Sequence, residues 1–367
     1  MTPVHPWAWW VWALSLAAAL SMTTSPLLIV LLVAAVCAVV LLRRGDAPWA
    51  RSLGIYAVLG AFIVSVRLFF FVLMGATGGA TVLVTLPQVQ LPAWAAGIRL
   101  GGPVSAEGLV FTLYDASRLA AMLLCLGAAN ALANPKRALR NVPAALYEAS
   151  VAVVIALSVA PQLIESVQRV RRARRLRGGA RRGWQAVKAV IIPVLADAID
   201  RSLSLAAGME ARGFGRTRDQ RPPSRLLTLG LLASMLAATL GAFLLLGSAS
   251  PAWGVTLLAL GVAGTVAGLR AGGRRLSVTR YRPDVWTVRD TALAASGMAA
   301  AAVVALVDTG WWPALHAAFH PSTSPLVWPT LHPAMLVVVG LAVMPLALTR
   351  APQPASPLSV RLHEVTA

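Results

Sequence analysis

The run Leu53–Met74, LGIYAVLGAFIVSVRLFFFVLM, carries one charged side chain, Arg67, in an otherwise almost wholly apolar stretch. As an α-helix it is roughly 33 Å long, enough to cross the hydrocarbon core of a bilayer. Similar runs lie on both sides: Trp7–Ser21, Pro26–Leu42, Gly108–Ala133, Leu226–Leu246, Ala252–Leu269, Thr291–Val307 and Pro333–Leu348. Together they predict an all-α, polytopic membrane fold with about eight spans. The short Ser21–Ser25 stretch either turns a tight hairpin between the first two spans or kinks one long helix. With 58% hydrophobic and 12% charged residues, the chain lacks the polar surface that a soluble domain of 367 residues needs.

The net charge of +19 acquires meaning once it is located. Residues 135–225 hold 18 Lys+Arg against six acidic residues, and 270–289 carry a second basic cluster. Basic loops stay in the cytoplasm. Arg43, Arg44 and Arg51 therefore lie inside. The 75–107 loop, with Arg99 alone, and the 308–332 loop, with no Lys or Arg, lie outside. One alternation fits every loop and leaves both termini in the cytoplasm of a multi-pass cell-membrane protein. The charge reports topology and attraction to anionic membrane lipids, not nucleic-acid binding. Trp7, Trp9, Trp10 and Trp12, with Trp311, Trp312 and Trp328, suit interfacial belts.

The start of the chain has no cationic segment followed by a small-residue cleavage site, so it is expected to be the first span. Cys37 and Cys125 sit in apolar runs and offer no disulfide or zinc pattern. Lys136 and Lys188 are the two lysines, and neither follows a phosphate-binding glycine loop. No serine triad, paired-acid site or zinc-protease motif occurs. The expectation is a non-catalytic protein without cofactor.

Four regions follow: N-terminal transmembrane helices (1–134), a cytoplasmic platform (135–225), C-terminal transmembrane helices (226–349) and a flexible cytoplasmic tail (350–367). Within the platform, Ala144–Ala160 is apolar enough to dip into or lie against the bilayer, and Pro161 is expected to open a new, Arg-rich helix ending at Arg177-Gly178. The next helix carries Val187, Ile191, Val194, Ala198, Leu205 and Met209 on one stripe, with Pro193 as a local kink, and ends at Arg212-Gly213. Glycine after a helix is the ordinary stop signal. An arginine at that tip also presents a planar, permanent charge suited to a carboxylate in a partner's groove.

The stretch Ala207-Gly208-Met209-Glu210-Ala211-Arg212-Gly213-Phe214-Gly215 resembles the second signature of the transmembrane T component (EcfT/CbiQ-like) of energy-coupling factor (ECF) transporters. Arg171-Arg172-Ala173-Arg174-Arg175-Leu176-Arg177-Gly178 is similar to the first, with Leu176 in place of alanine. Ile192-Pro193-Val194-Leu195, Asp200–Ala206, Thr24–Leu28 and His5-Pro6 extend the resemblance over roughly residues 5–218. It implies a scaffold joining two cytoplasmic ABC ATPases to a substrate-binding membrane S component for uptake of a vitamin or metal ion. ATP hydrolysis then resides in the partner ATPases. It also implies that Arg177, Gly178, Glu210, Ala211, Arg212 and Gly213 form the ATPase-docking elements. The alternative is a stand-alone carrier or membrane enzyme with a lipid-facing basic platform. Convergent polar residues within the spans, or repeat symmetry between the halves, would favour that alternative.

Two further groups stand out. Arg67 and Asp115 lie at similar depth in neighbouring spans and suit an intramembrane ion pair, with Arg118 close by. His316 and His320 have metal-ligand spacing, but Pro313 and Pro321 bracket them and no carboxylate or cysteine accompanies them. The reading is an aromatic outer loop and no metal. Gly-Gly pairs at 78–79, 101–102 and 272–273 suggest turns.

Overall fold

The computed structural model describes residues 4–45, 52–75, 80–90, 99–141, 146–176, 184–214, 225–247, 251–273 and 284–350. The chain divides into two compact units: Met1–Ala138 with Asp284–Ala367, and Leu139–Pro283. Most of the predicted 350–367 tail lies outside the described residues.

The first unit is a helical bundle. It comprises α1 (Pro6–Ser21), α2 (Pro26–Arg43), α3 (Ser52–Met74), a hairpin of β1 (Val82–Gln90) and β2 (Arg99–Ser105), α4 (Ala106–Leu132) and α5 (Pro135–Arg140). The chain returns to it with α10 (Val288–Asp308), α11 (Pro313–Phe319), α12 (Pro333–Val343) and α13 (Pro345–Leu348). Helix α1 packs on α4 and α10, α2 on α4 and α12, and α3 on α4. Trp12, Leu16 and Leu20 of α1 meet Leu28, Leu32, Val36 and Val39 of α2, Leu293 and Val304 of α10, Phe319 of α11 and Met335 of α12 in one core. Trp9 and Trp12 thus belong to the core and not to an interfacial belt, whereas Trp7, Trp311, Trp312 and Trp328 are exposed. In the crowded first turns of α1, the helix on either side covers the indoles before an interface can.

Polar ties close both ends of this bundle. At one, the His5 N–H donates to Asp290 Oδ1 (2.8 Å), Arg137 forks onto both oxygens of Asp284 (2.9 and 3.2 Å), and Arg43 donates to the Leu346 carbonyl (2.5 Å) and Thr349 Oγ1 (2.8 Å). Burial holds the His5 imidazole below its ordinary pKa, and its neutral Nδ1 caps α1 by accepting from the Trp7 N–H. At the other end, Thr23 Oγ1–H and the Thr24 N–H both donate to the Phe319 carbonyl (2.8 and 3.2 Å). Residues 22–25 therefore form a tight connection between two separate helices.

The 75–107 region is not a plain loop. Strands β1 and β2 pair antiparallel from Val82↔Ser105 to Gln90↔Arg99, with irregularities between Val82/Val84 and Leu86/Val89. Gly101-Gly102 is not a turn but lies within β2, both residues at positive φ. Alternation of Val82, Val84, Leu86 and Val104 is short and glycine-interrupted, so the strand period is easily missed beside 20-residue apolar runs. Glu107 Oε1 accepts from the Thr81 N–H (3.1 Å), fastening the hairpin to the start of α4. The 78–79 pair lies outside the described residues, and Gly272-Gly273 ends a helix of the second unit.

That second unit holds α6 (Tyr147–Leu176), α7 (Trp184–Ala211), α8 (Arg225–Gly247) and α9 (Pro251–Gly273). Contrary to the expected break, α6 runs straight through Pro161, which removes one backbone donor but leaves the helix on either side intact. Its apolar first half and arginine-rich second half are one element. Helices α8 and α9 pack closely because a Cβ on Gly261 would lie 2.3 Å from Ala238 N, and one on Gly241 2.4 Å from Leu258 N. Small residues on both faces let membrane helices approach at backbone distance. Ser234 Oγ and Thr265 Oγ1 share a hydrogen bond across that seam (3.1 Å).

Among the described residues, seven helices are long and apolar enough to span a membrane: α2, α3, α4, α6, α8, α9 and α10. The chain is an all-α polytopic membrane protein, and each of the eight predicted spans corresponds to a helix, but the span-length α6 falls in the 135–225 segment expected to be a cytoplasmic platform. Helix α1, of 16 residues, and the α12–α13 pair are shorter than a full crossing.

Candidate coupling site

Helices α6 and α7 form an antiparallel hairpin whose register is set by polar side chains. Ser166 Oγ–H donates to Asp197 Oδ2 (2.8 Å), Arg201 Nε–H to Asp197 Oδ1 (3.1 Å), and Arg201 Nη1–H to Gln162 Oε1 (3.3 Å). The Ser166 hydroxyl, and then Arg201, hold the Asp197 carboxyl below the usual aspartate range. Tyr147 at the start of α6 and Phe214 beyond the end of α7 bring their rings to 6.1 Å. Sequence reading overlooked Asp197 and Ser166. The one available signal was the Asp197-to-Arg201 spacing of four.

The second Arg-Gly signature is a built helix terminus. Helix α7 ends at Ala211, and Gly213 takes φ +73°. The Gly213 N–H donates to the Glu210 carbonyl (2.9 Å) and the Phe214 N–H to the Met209 carbonyl (2.9 Å). These two bonds define a Schellman cap, which needs the left-handed residue that glycine supplies without a Cβ penalty. Arg212 occupies the cap position itself, with Glu210, Ala211 and Arg212 all exposed. Cap and presented cation are therefore one structure and not competing explanations. At the other end, Leu176 closes α6 and is 90% exposed. Arg177 and Gly178 lie outside the described residues. Because the hairpin is antiparallel and α7 has 28 residues, Leu176 and Arg212 occur at opposite ends, roughly 40 Å apart along the axis.

The stripe expected on α7 divides. Val194, Ala198 and Met209 are half-covered, while Val187, Ile191 and Leu205 are exposed. A second line, Ile191, Leu195, Ile199 and Leu203, repeats every four residues and is 50–64% exposed. Helix α6 leaves this line of α7 uncovered.

In the first unit, Arg67 on α3 and Asp115 on α4 form a salt bridge, and Arg118 one turn along α4 donates to the same carboxylate (2.5 Å). His316 and His320 stack with ring centroids 4.4 Å apart. The expectation that no carboxylate accompanies them needs correction: His320 Nε2 lies 3.5 Å from Asp308 Oδ1. The turn through Gly310, at φ +76°, and Pro313 folds α11 back toward the end of α10, a proximity invisible in linear spacing.

Comparison with known proteins places these elements. The model of the CbiQ family, described as cobalt transport protein, matches residues 4–224, more than half of the chain. The energy-coupling factor transporter transmembrane protein EcfT of Leuconostoc gelidum subsp. gasicomitatum is 28% identical over 131 residues. That alignment covers 34% of this chain, and the chain spans about half the length of this curated relative (48%). The family match runs from the cap of α1 through the α6–α7 hairpin and past the Arg212-Gly213 terminus, so the chain belongs to the CbiQ family of transport proteins.

Proposed function

We propose that this chain is the transmembrane energy-coupling scaffold of an ECF-type importer. It links two cytoplasmic ABC ATPases to a substrate-binding membrane subunit that takes up a vitamin or a metal ion. The observation that carries the reading is the α6–α7 hairpin, with Arg212 at the cap of one end and Leu176, the residue before the first Arg-Gly pair, at the other. Two termini roughly 40 Å apart suit two docking partners better than one bidentate site. Arg212 sits on a rigid Schellman cap, and its guanidinium is preorganised to enter a groove and pair with a carboxylate. Arg177 takes the equivalent role at the end of α6.

The open apolar line Ile191–Leu203 supplies a second surface, for lipid or for the binding subunit. ATP-driven motion of the ATPases would tilt the hairpin, and the Asp197–Ser166–Arg201 network would carry the movement from one helix to the other. The four regions named from sequence serve this reading. So does an orientation with both termini in the cytoplasm, since the ties of the first unit join residues that one alternation puts on the same side.

The test is reconstitution with the ATPases and the binding subunit. Arg177→Ala with Arg212→Ala is expected to abolish uptake and to lose the co-purifying ATPases while the chain still inserts. Full transport by the double variant, or a lone wild-type chain active without ATPases, overturns the proposal.

A further inference from the structure

We propose that Asp308, His316 and His320 bind one divalent transition-metal ion where α10 and α11 meet the α1–α2 connection. These residues lie beyond the family-matched segment, and the inference stands apart from the transport reading.

Three observations carry it. One donor atom from each of the three side chains falls within 4.8 Å of the others, and Asp308 Oδ1 and His320 Nε2 are already 3.5 Å apart. Ligands of a tetrahedral ion at 2.0–2.1 Å are separated by roughly 3.4 Å, so modest rotamer adjustment completes the set. Second, the imidazoles of His316 and His320 lie one helical turn apart with ring centroids only 4.4 Å from each other, so both rings stand together at the α10–α11 corner. Third, the nitrogen that faces Asp308, His320 Nε2, also lies 2.9 Å from the Met22 carbonyl, so an ion bound there takes the place of the proton now held between that nitrogen and the carbonyl oxygen.

The chemistry of the set selects the ion. Two imidazoles and one carboxylate favour zinc, cobalt or nickel over magnesium or calcium, which prefer all-oxygen shells. Three protein ligands leave a fourth position for water. Asp308 closes α10, whose last carbonyls add negative potential to the site. Through Met22, an ion here clamps the α10–α11 corner to the turn between α1 and α2.

The full-length chain, purified in detergent with a tag free of histidine and stripped with chelator, is titrated with Co(II). The expected result is one cobalt per chain, visible d–d absorption and a higher unfolding midpoint. Asp308→Asn with His316→Gln should weaken binding by more than the roughly 10- to 100-fold that attends loss of an outer-shell partner. The same variant should leave the metal-free midpoint unchanged. Its His320 and the Met22 contact remain, so a folding defect is separable from lost ligation. Absence of saturable uptake by the folded wild type, or wild-type affinity in the double variant, overturns the site. Because metal is read on the isolated chain, neither result bears on coupling to ATPases.

Discussion

The two units of this protein use the same apolar alphabet to opposite ends. In the first, 39% of the α2 span and 44% of the α10 span are buried within the chain, although α3 at its edge is only 6% buried; in the second, no described span exceeds the 11% of α9, and α6 and α8 reach 6%. The first unit also ties its ends with carbonyls and carboxylates more than 280 residues apart, such as His5 to Asp290. The second is joined by nearby partners, Ser166 to Asp197 and Ser234 to Thr265. A membrane protein that satisfies its own surfaces is a finished body, and one that leaves them open is waiting for lipid or for other chains. The candidate coupling hairpin lies in the open unit, as a part that must move against partners requires.

The strongest way to break this comparison is to truncate matched apolar residues in the two units. Trp12→Ala, in the core of the first, is expected to cost about 3–5 kcal/mol in reversible detergent unfolding. Ile191→Ala, on the open line of α7, should change the isolated chain by roughly 0.5 kcal/mol or less. Equal losses would mean that the open unit is not open.

A smaller effect sharpens the picture of the first unit. Exchanging Arg67 and Asp115 singly should each destabilise the α3–α4 pair, and the double exchange should recover roughly 0.5–1.7 kcal/mol, the usual range for polar pairs between membrane helices. Failure of the double exchange to restore anything would reject the lock, and Arg118 on the same carboxylate would then be its main partner.

The smallest effect concerns the second unit and acid. Asp197 has its pKa lowered by the Ser166 hydroxyl and by Arg201, so its contribution is present above the unfolded aspartate value, near 3.9. It is lost as pH falls through the lower folded value. Hydrogen exchange across α6 and α7 should therefore speed up on acidification in that window. Asp197→Asn should remove the pH dependence and leave exchange fast throughout. An unchanged acid profile in Asp197→Asn would show that the network does not hold the hairpin.

Much of this was legible in the chain. Long apolar runs marked six of the seven helices long enough to span, because bilayer thickness imposes a length that few soluble elements imitate; α6 escaped because its apolar half leads straight into an arginine-rich half. Arg212-Gly213 was readable as a helix stop because the Schellman cap is a local device. What escaped depended on distance. Nothing near Asp308 announces His320, and nothing in α10 announces that it packs on α1. Pro161 misled for a different reason: the proline rule describes a lost hydrogen bond, while a 30-residue helix has enough others to continue. The β1–β2 hairpin was hidden by the irregular register around Gly101 and Gly102.

The bond from His5 to Asp290 also has a meaning in time. At ~5–20 residues per second, a ribosome needs roughly 15–60 s to synthesise the chain between them. During that interval α1 and α2 sit in the membrane with the α10 and α12 faces of their core still unmade. Biogenesis of this protein is thus an ordering problem. Its first-inserted helices must be sheltered, by lipid or by the insertion machinery, until its last-inserted helices arrive to complete them.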